Sequence, residues 1–183
     1  LKYLATFIPA EEKVGVYAQG MSYIFNHIGN SSEIKIGKDG VGLYLVGTGT
    51  ANINSKIELS ESDKGTTIGV YSDGNSNVLF GTGTVLNIGK GAVGLYSLDA
   101  SKFNNTFKIK TGEKLVVSLG ENSALALLSG NTNSSISLKS FLNNNANDKI
   151  EIDSFGSGAS LFYVKDGSKA VLDENYNITT GGL

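Results

Sequence analysis

The sequence predicts an all-β fold: a right-handed parallel β-helix of about six coils, each made of three short strands. Three observations carry that prediction. A motif of the form aliphatic, small, aliphatic, aromatic recurs along the chain, and two apolar triplets recur in step with it. The triplets alternate apolar and polar residues, the period of a strand with one face buried, whereas no segment sustains the 3.6-residue period of a helix. The composition agrees, because Gly makes up 24 of the 183 residues and Asn and Ser are abundant. Gly and Asn are poor helix formers.

The first element of each repeat is the motif itself. It reads Val14-Gly15-Val16-Tyr17, Val41-Gly42-Leu43-Tyr44, Ile68-Gly69-Val70-Tyr71 and Val93-Gly94-Leu95-Tyr96. Weaker copies follow at Leu125-Ala126-Leu127-Leu128 and Ala159-Ser160-Leu161-Phe162, and successive copies start 27, 27, 25, 32 and 34 residues apart. The second element is a fainter patch: Tyr23-Ile24-Phe25, Ala51-Asn52-Ile53, Val78-Leu79-Phe80, Phe107-Lys108-Ile109, Ile136-Ser137-Leu138 and Ala170-Val171-Leu172. The third is Ile34-Lys35-Ile36, Ile57-Glu58-Leu59, Leu86-Asn87-Ile88, Val117-Ser118-Leu119, Ile150-Glu151-Ile152 and Tyr176-Asn177-Ile178. Gly, Asp, Ser, Asn and Lys fill the gaps, as corners require. Three strands per repeat at this period describe one coil of a solenoid, and a right-handed coil is the default. Two stretches read as corner insertions, "SLDASKFNNTF" and "LKSFLNNNAND", with 140–148 as the exposed loop.

The repeats occupy residues 14–183. Residues 1–13 fit them poorly and read as the remnant of a preceding coil or a cap. The chain starts at Leu1 without a visible signal peptide, and "NITTGGL" resembles "NIGKGAVGL", so the sequence reads as a fragment of a longer array.

Alternation assigns faces. Val14/Val16, Val41/Leu43, Ile68/Val70, Val93/Leu95, Leu125/Leu127 and Ala159/Leu161 are expected inside, with the third-element residues Ile34/Ile36, Ile57/Leu59, Leu86/Ile88, Val117/Leu119 and Ile150/Ile152. Outside, one row runs Gly15, Gly42, Gly69, Gly94, Ala126, Ser160. The next runs Tyr17, Tyr44, Tyr71, Tyr96, Leu128, Phe162. These rings can form a self-stacking ladder, a stripe for sugar rings, or a seat for a neighbouring loop or domain. A further outward row, Lys35, Glu58, Asn87, Ser118, Glu151, Asn177, sets Lys35 beside Glu58 as register support.

Several functions are excluded on spacing. "IGKDGVGLYL" and "IGKGAVGLYS" look like phosphate loops, but Lys38 and Lys90 are followed by Asp39 and Gly91 rather than Ser or Thr. Gly81-Thr82-Gly83 and Gly47-Thr48-Gly49 also lack the third Gly of a dinucleotide fingerprint, and neither stretch opens a helix. Net charge is −2 with no Lys cluster, which offers nothing to nucleic acid or an anionic membrane. No apolar run approaches the ~20 residues of a membrane helix. Cys is absent and His27 is the one His, read as a solvated loop residue, so no thiol, zinc or nucleophile–base motif is present. Asp39-Gly40, Asp73-Gly74 and Asp166-Gly167 read as turns with Gly at positive φ rather than as calcium loops. The carboxylates Glu58, Glu61 and Asp63 sit beside Lys64 without a second cluster, and no Arg exists to meet an acidic polysaccharide. The expectation is a non-enzyme with no cofactor and no metal.

The phrases "GVGLY", "IGVYSDG" and "GKGAVGLYS", the Asn- and Ser-rich corners and the lack of Arg and Cys resemble the passenger region of very large autotransporter adhesins. The similarity is to fusobacterial outer-membrane adhesins of the RadD type, and it covers about residues 14–183. It implies an extracellular β-helix on the cell surface, tethered to the outer membrane by a C-terminal barrel that this chain lacks. It further implies attachment to host cells or other bacteria through a protein receptor or a glycan, and it assigns no binding residue. From the residues themselves, the candidate partner surface is Tyr17, Tyr44, Tyr71, Tyr96 and Phe162, with Phe141, Asn143, Asn144 and Asn145 of the 140–148 loop. A purely structural stalk is the alternative, and a β-helix polysaccharide-active enzyme a more distant one.

Overall fold

The computed structural model describes residues 6–7, 14–20, 23–63, 66–81, 83–97, 102–129, 135–137, 149–165 and 169–171. Its elements, in chain order, are β1 (Thr6–Phe7), β2 (Val14–Gln19), β3 (Tyr23–Ile36), β4 (Val41–Val46), β5 (Gly49–Leu59), β6 (Ile68–Ser72), β7 (Asn77–Phe80) and β8 (Val85–Ile88). They continue with β9 (Val93–Ser97), α1 (Phe103–Thr106), β10 (Phe107–Ile109), β11 (Lys114–Leu119), β12 (Ala124–Leu128), β13 (Ser135–Ser137), β14 (Lys149–Phe155), β15 (Ser160–Val164) and β16 (Lys169–Val171). Every strand pairing among the described residues is parallel.

Two sheets wrap one core. The motif strands form a six-stranded sheet in the order β15-β12-β9-β6-β4-β2, and the second and third elements form an eight-stranded sheet built on β1-β3-β5-β8-β11-β14, to which β7 and β10 add. Successive coils therefore lie side by side in both sheets, which makes the chain an all-β parallel solenoid. The described residues complete about four turns, fewer than the six expected. The third strand of a coil is also not always separate. In β3 and β5 the second and third elements merge into one long strand, and they part only in later coils, where β7 leads through Gly81–Thr84 into β8. The bend is held by Thr84, whose hydroxyl donates to the carbonyls of Gly81 (2.7 Å) and, one coil back, Ile53 (2.8 Å).

The inner faces are aliphatic columns. Leu43, Leu45, Val70 and Leu95 from one sheet meet Ala51, Ile53, Ile57, Leu59, Phe80, Leu86 and Val117 from the other, all buried. Each buried aliphatic side chain contributes roughly 1.5–3 kcal/mol. The stretch "SLDASKFNNTF" is not simply a loop: α1 turns Phe103 inward, where its ring lies 4.9 Å from that of Phe107, which in turn stacks on Phe80 at 6.4 Å.

The corners repeat one geometry. Gly37–Gly40, Gly89–Ala92, Gly120–Ser123 and Gly156–Ala159 each close with a hydrogen bond from the fourth residue's N–H to the first residue's carbonyl, at 3.1, 3.1, 3.2 and 3.0 Å. The third residue is left-handed every time: Asp39 (φ 59°), Gly91 (φ 68°), Asn122 (φ 53°) and Gly158 (φ 70°). Gly, Asn and Asp are the residues that tolerate that conformation. At Asp39-Gly40 it is thus Asp39, not the Gly, that has positive φ, whereas Gly74 behaves as expected (φ 91°) and Asp166-Gly167 lies outside the described residues. A side chain on Gly89, Gly120 or Gly156 would strike the backbone of the preceding corner at 2.5–2.8 Å. The "GKG" resemblance to a phosphate loop is therefore a steric column of corners, with no helix behind it.

Candidate functional site

The aromatic row is real over its first four members. Tyr17, Tyr44, Tyr71 and Tyr96 are register partners on neighbouring strands. Tyr17 and Tyr44 stack with centroids 5.4 Å apart at 18°, Tyr44 and Tyr71 at 4.3 Å and 17°, and Tyr71 and Tyr96 tilt to 55° at 5.4 Å. The ring faces of Tyr44 and Tyr71 are thus taken up by each other and by their neighbours. Burial in the stack, together with the phenol of Tyr44 and the charge of Asp73, pushes the Tyr71 phenol up to about 12. Tyr17, at the end of the row, is exposed and its hydroxyl donates to Gln19 Oε1 at 3.0 Å.

Beyond Tyr96 the structure corrects the sequence reading. Ala124 pairs with Val93, Ala126 with Leu95 and Leu127 with Tyr96, so the fifth copy starts at Ala124 rather than Leu125. The sixth starts at Ser160, since Ala126 pairs with Phe162 and Leu127 with Tyr163. Leu128 and Phe162 consequently leave the outer row: Leu128 is fully buried and Phe162 packs against the core. Leu127 and Tyr163 take their places, and Tyr163 is 55% exposed. A signal for this was available, because the outer-row residue lies seven positions after the first corner Gly: Gly37 to Tyr44, Gly89 to Tyr96, Gly120 to Leu127, Gly156 to Tyr163. Phe141, Asn143, Asn144 and Asn145 lie outside the described residues.

The row of small residues is likewise not an outer row. It runs through Gly42, Gly69, Gly94 and then Leu125, a residue skipped in the pairing of each strand. A Cβ at Gly42 would sit 2.5 Å from Ile36 Cδ1 and 2.6 Å from the Gly69 carbonyl, and one at Gly94 2.6 Å from Ile88 Cδ1. These glycines face the core at a kink where two consecutive residues turn inward, and Val41 and Ile68, expected inside, are only half-buried. In the eight-stranded sheet Val116 pairs with Glu151 and Val117 with Ile152, which takes Glu151 out of the Lys35 row, and a bulge after Val117 then sets Ser118 opposite Ser154 and Leu119 opposite Phe155.

The charged groups pair among themselves. Lys35 and Glu58 are register partners, yet the contacts run through Glu33: Lys56 reaches Glu33 at 2.9 Å and Glu58 at 2.6 Å, and Lys35 reaches Glu33 at 3.5 Å. The Lys56 ammonium holds the Glu33 carboxyl below its ordinary range. Lys38 pairs with Asp63 at 2.5 Å, Lys90 with Glu121 at 3.0 Å and Lys114 with Glu151 at 2.8 Å. His27 is a half-buried strand residue rather than a solvated loop residue. Its Nδ1 meets the Ser55 hydroxyl, and burial pushes its pKa down. Ser55 is 2% exposed and also lies 3.2 Å from the His27 carbonyl, so this Ser–His pair ties two coils together and presents no nucleophile to a substrate. Among the described residues no three His, Cys, Asp or Glu side chains are placed to hold a metal ion, and no helix is long and apolar enough to cross a membrane.

No family model, curated protein or solved structure matches the chain.

Proposed function

We propose that the chain is a segment of a cell-surface adhesin, a β-solenoid rod whose motif-strand face presents an attachment surface to a receptor protein or glycan on host cells or other bacteria. The observation that carries this reading is the outward row that runs the length of the motif sheet, from exposed Tyr17 to exposed Tyr163. A rod that presents a row of outward side chains along one face offers many shallow contacts that add through multivalency. Anchoring at the outer membrane through a barrel elsewhere in a longer chain belongs to the same proposal.

The test is adhesion to the immobilised 183-residue chain, measured with fluorescent bacteria and epithelial cells against an unrelated solenoid. Capture reduced by soluble chain supports attachment; coverage equal to the control contradicts it. One observation favours a second reading, a spacer without a ligand: Tyr44 and Tyr71 stack face to face at 4.3 Å and so stiffen the sheet instead of presenting open rings. The same assay separates the two, because a spacer captures nothing.

A further inference from the structure

We propose that the groove across the corner column beside Tyr163 is a binding site for a neutral oligosaccharide; this deepens the attachment reading and rests on it. The groove has a volume of about 900 Å³ and crosses four successive corners, from Glu61–Asp63 through Lys90–Val93 and Asn122–Ala124 to Gly158 and Ser160. Three strand spacings of about 4.8 Å make it about 14 Å long. It opens where the aromatic row is interrupted. Leu127 replaces a ring between Tyr96 and Tyr163, and among the described residues no ring stacks on Tyr163. Tyr163 is therefore the one ring of the groove lining whose surface is left to a ligand, unlike Tyr44 and Tyr71.

The chemistry of the lining selects the ligand class. An exposed aromatic beside Leu127 covers the apolar face of a sugar ring, and the surrounding polar groups of Glu61, Asn122 and Ser160 suit its hydroxyls. Charge is balanced in the lining: Glu61 and Asp63 stand with Lys90 and Lys165, with Asp63 held by Lys38 and Lys90 by Glu121. A polyanion or polycation finds no surplus of the opposite sign. An extended peptide is disfavoured for a different reason. Strands β9 and β12, which cross the groove, are paired on both sides, so their backbone groups are consumed, and among the described residues strand addition is left the outer side of β15, the last strand of the six-stranded sheet.

The experiment is saturation-transfer NMR and calorimetry on the full chain with three neutral probes: cellotetraose, maltotetraose and lacto-N-tetraose. Binding of at least one is expected, weakened about tenfold or more by Tyr163→Ala and retained by Tyr163→Phe. Lys114→Ala, on the other sheet and outside the groove, keeps full affinity. Circular dichroism confirms that each variant is folded. Absence of binding by all three probes, or full affinity in a folded Tyr163→Ala variant, overturns the proposal. So does binding of a charged oligosaccharide or a peptide in place of the neutral probes. Cell capture by the immobilised chain that persists in Tyr163→Ala and is not competed by the sugars sinks the groove while leaving attachment intact.

Discussion

At Gly91 two demands meet that a single residue type satisfies. Its φ is +68°, and a Cβ there would run into the Ser62 carbonyl of the preceding corner. Lys90, its neighbour, is exposed and pairs with Glu121 at the surface. Leu95, a few residues on, is completely buried. These three positions should respond very differently to substitution. Leu95→Asp places an unpaired carboxylate in the core and should abolish the folded state. Gly91→Ala should cost about 1–3 kcal/mol through backbone strain. Lys90→Ala should leave the melting temperature unchanged, since exposed ion pairs contribute little. Thermal unfolding followed by circular dichroism ranks them; a larger loss from Lys90→Ala than from Leu95→Asp would contradict the register of the motif strands. The burial of Leu95 was legible from alternation alone. The inward turn of Gly94 was not, because strict alternation has no place for a kink with two consecutive residues facing the core.

The tyrosine ladder acts as one element. The unfolded Tyr71 phenol titrates near 10 and the folded one up to about 12, so the folded chain holds a proton that the unfolded chain has released. Linkage fixes the sign: the stability from this group is complete below about pH 10 and is lost as pH rises through 12. Tyr23, raised by burial and bonded to Ser76 at 2.5 Å, acts in the same direction. The urea midpoint should therefore fall over this interval, and Tyr71→Phe should flatten part of the fall; an identical pH profile in that variant would show that the stack does not bear on stability. This ladder was visible in the sequence for four coils, where the pattern aliphatic-Gly-aliphatic-Tyr is explicit. It slipped by one residue afterwards, because "ALALL" and "SLFYV" contain no Gly to fix the frame. Counting from the corner Gly restores it. The merger of the second and third elements in β3 and β5 was hidden for a related reason: Asn26 and Asn54 look like corner residues, yet Asn26 lies in line with the strand residue Asn52, whose side-chain N–H donates to Asn26 Oδ1 across the two strands at 2.9 Å.

For the whole molecule, each coil is stable only against its neighbours. The corner of one coil is bonded to the next, as Gly91 N–H to the Glu121 carbonyl (2.8 Å) and Gly120 N–H to the Ile88 carbonyl (2.8 Å), and the core columns run through all of them. The solenoid class was legible because repetition writes the same physical requirement many times. The groove was not, since it arises where repetition fails: a longer corner around 61–67, a missing ring at Leu127 and a ring regained at Tyr163. The absence of native Cys makes coil stacking directly measurable. Neighbouring parallel strands bring register partners within the 4.4–6.8 Å Cα separation that a disulfide spans. Under mild oxidation, the double variant Tyr96→Cys/Leu127→Cys should form an intramolecular disulfide rapidly. Tyr96→Cys/Leu128→Cys should not, because position 128 points into the core. Cross-linking of the second pair with none in the first would contradict the stacked register on which the fold, the tyrosine row and the groove all depend.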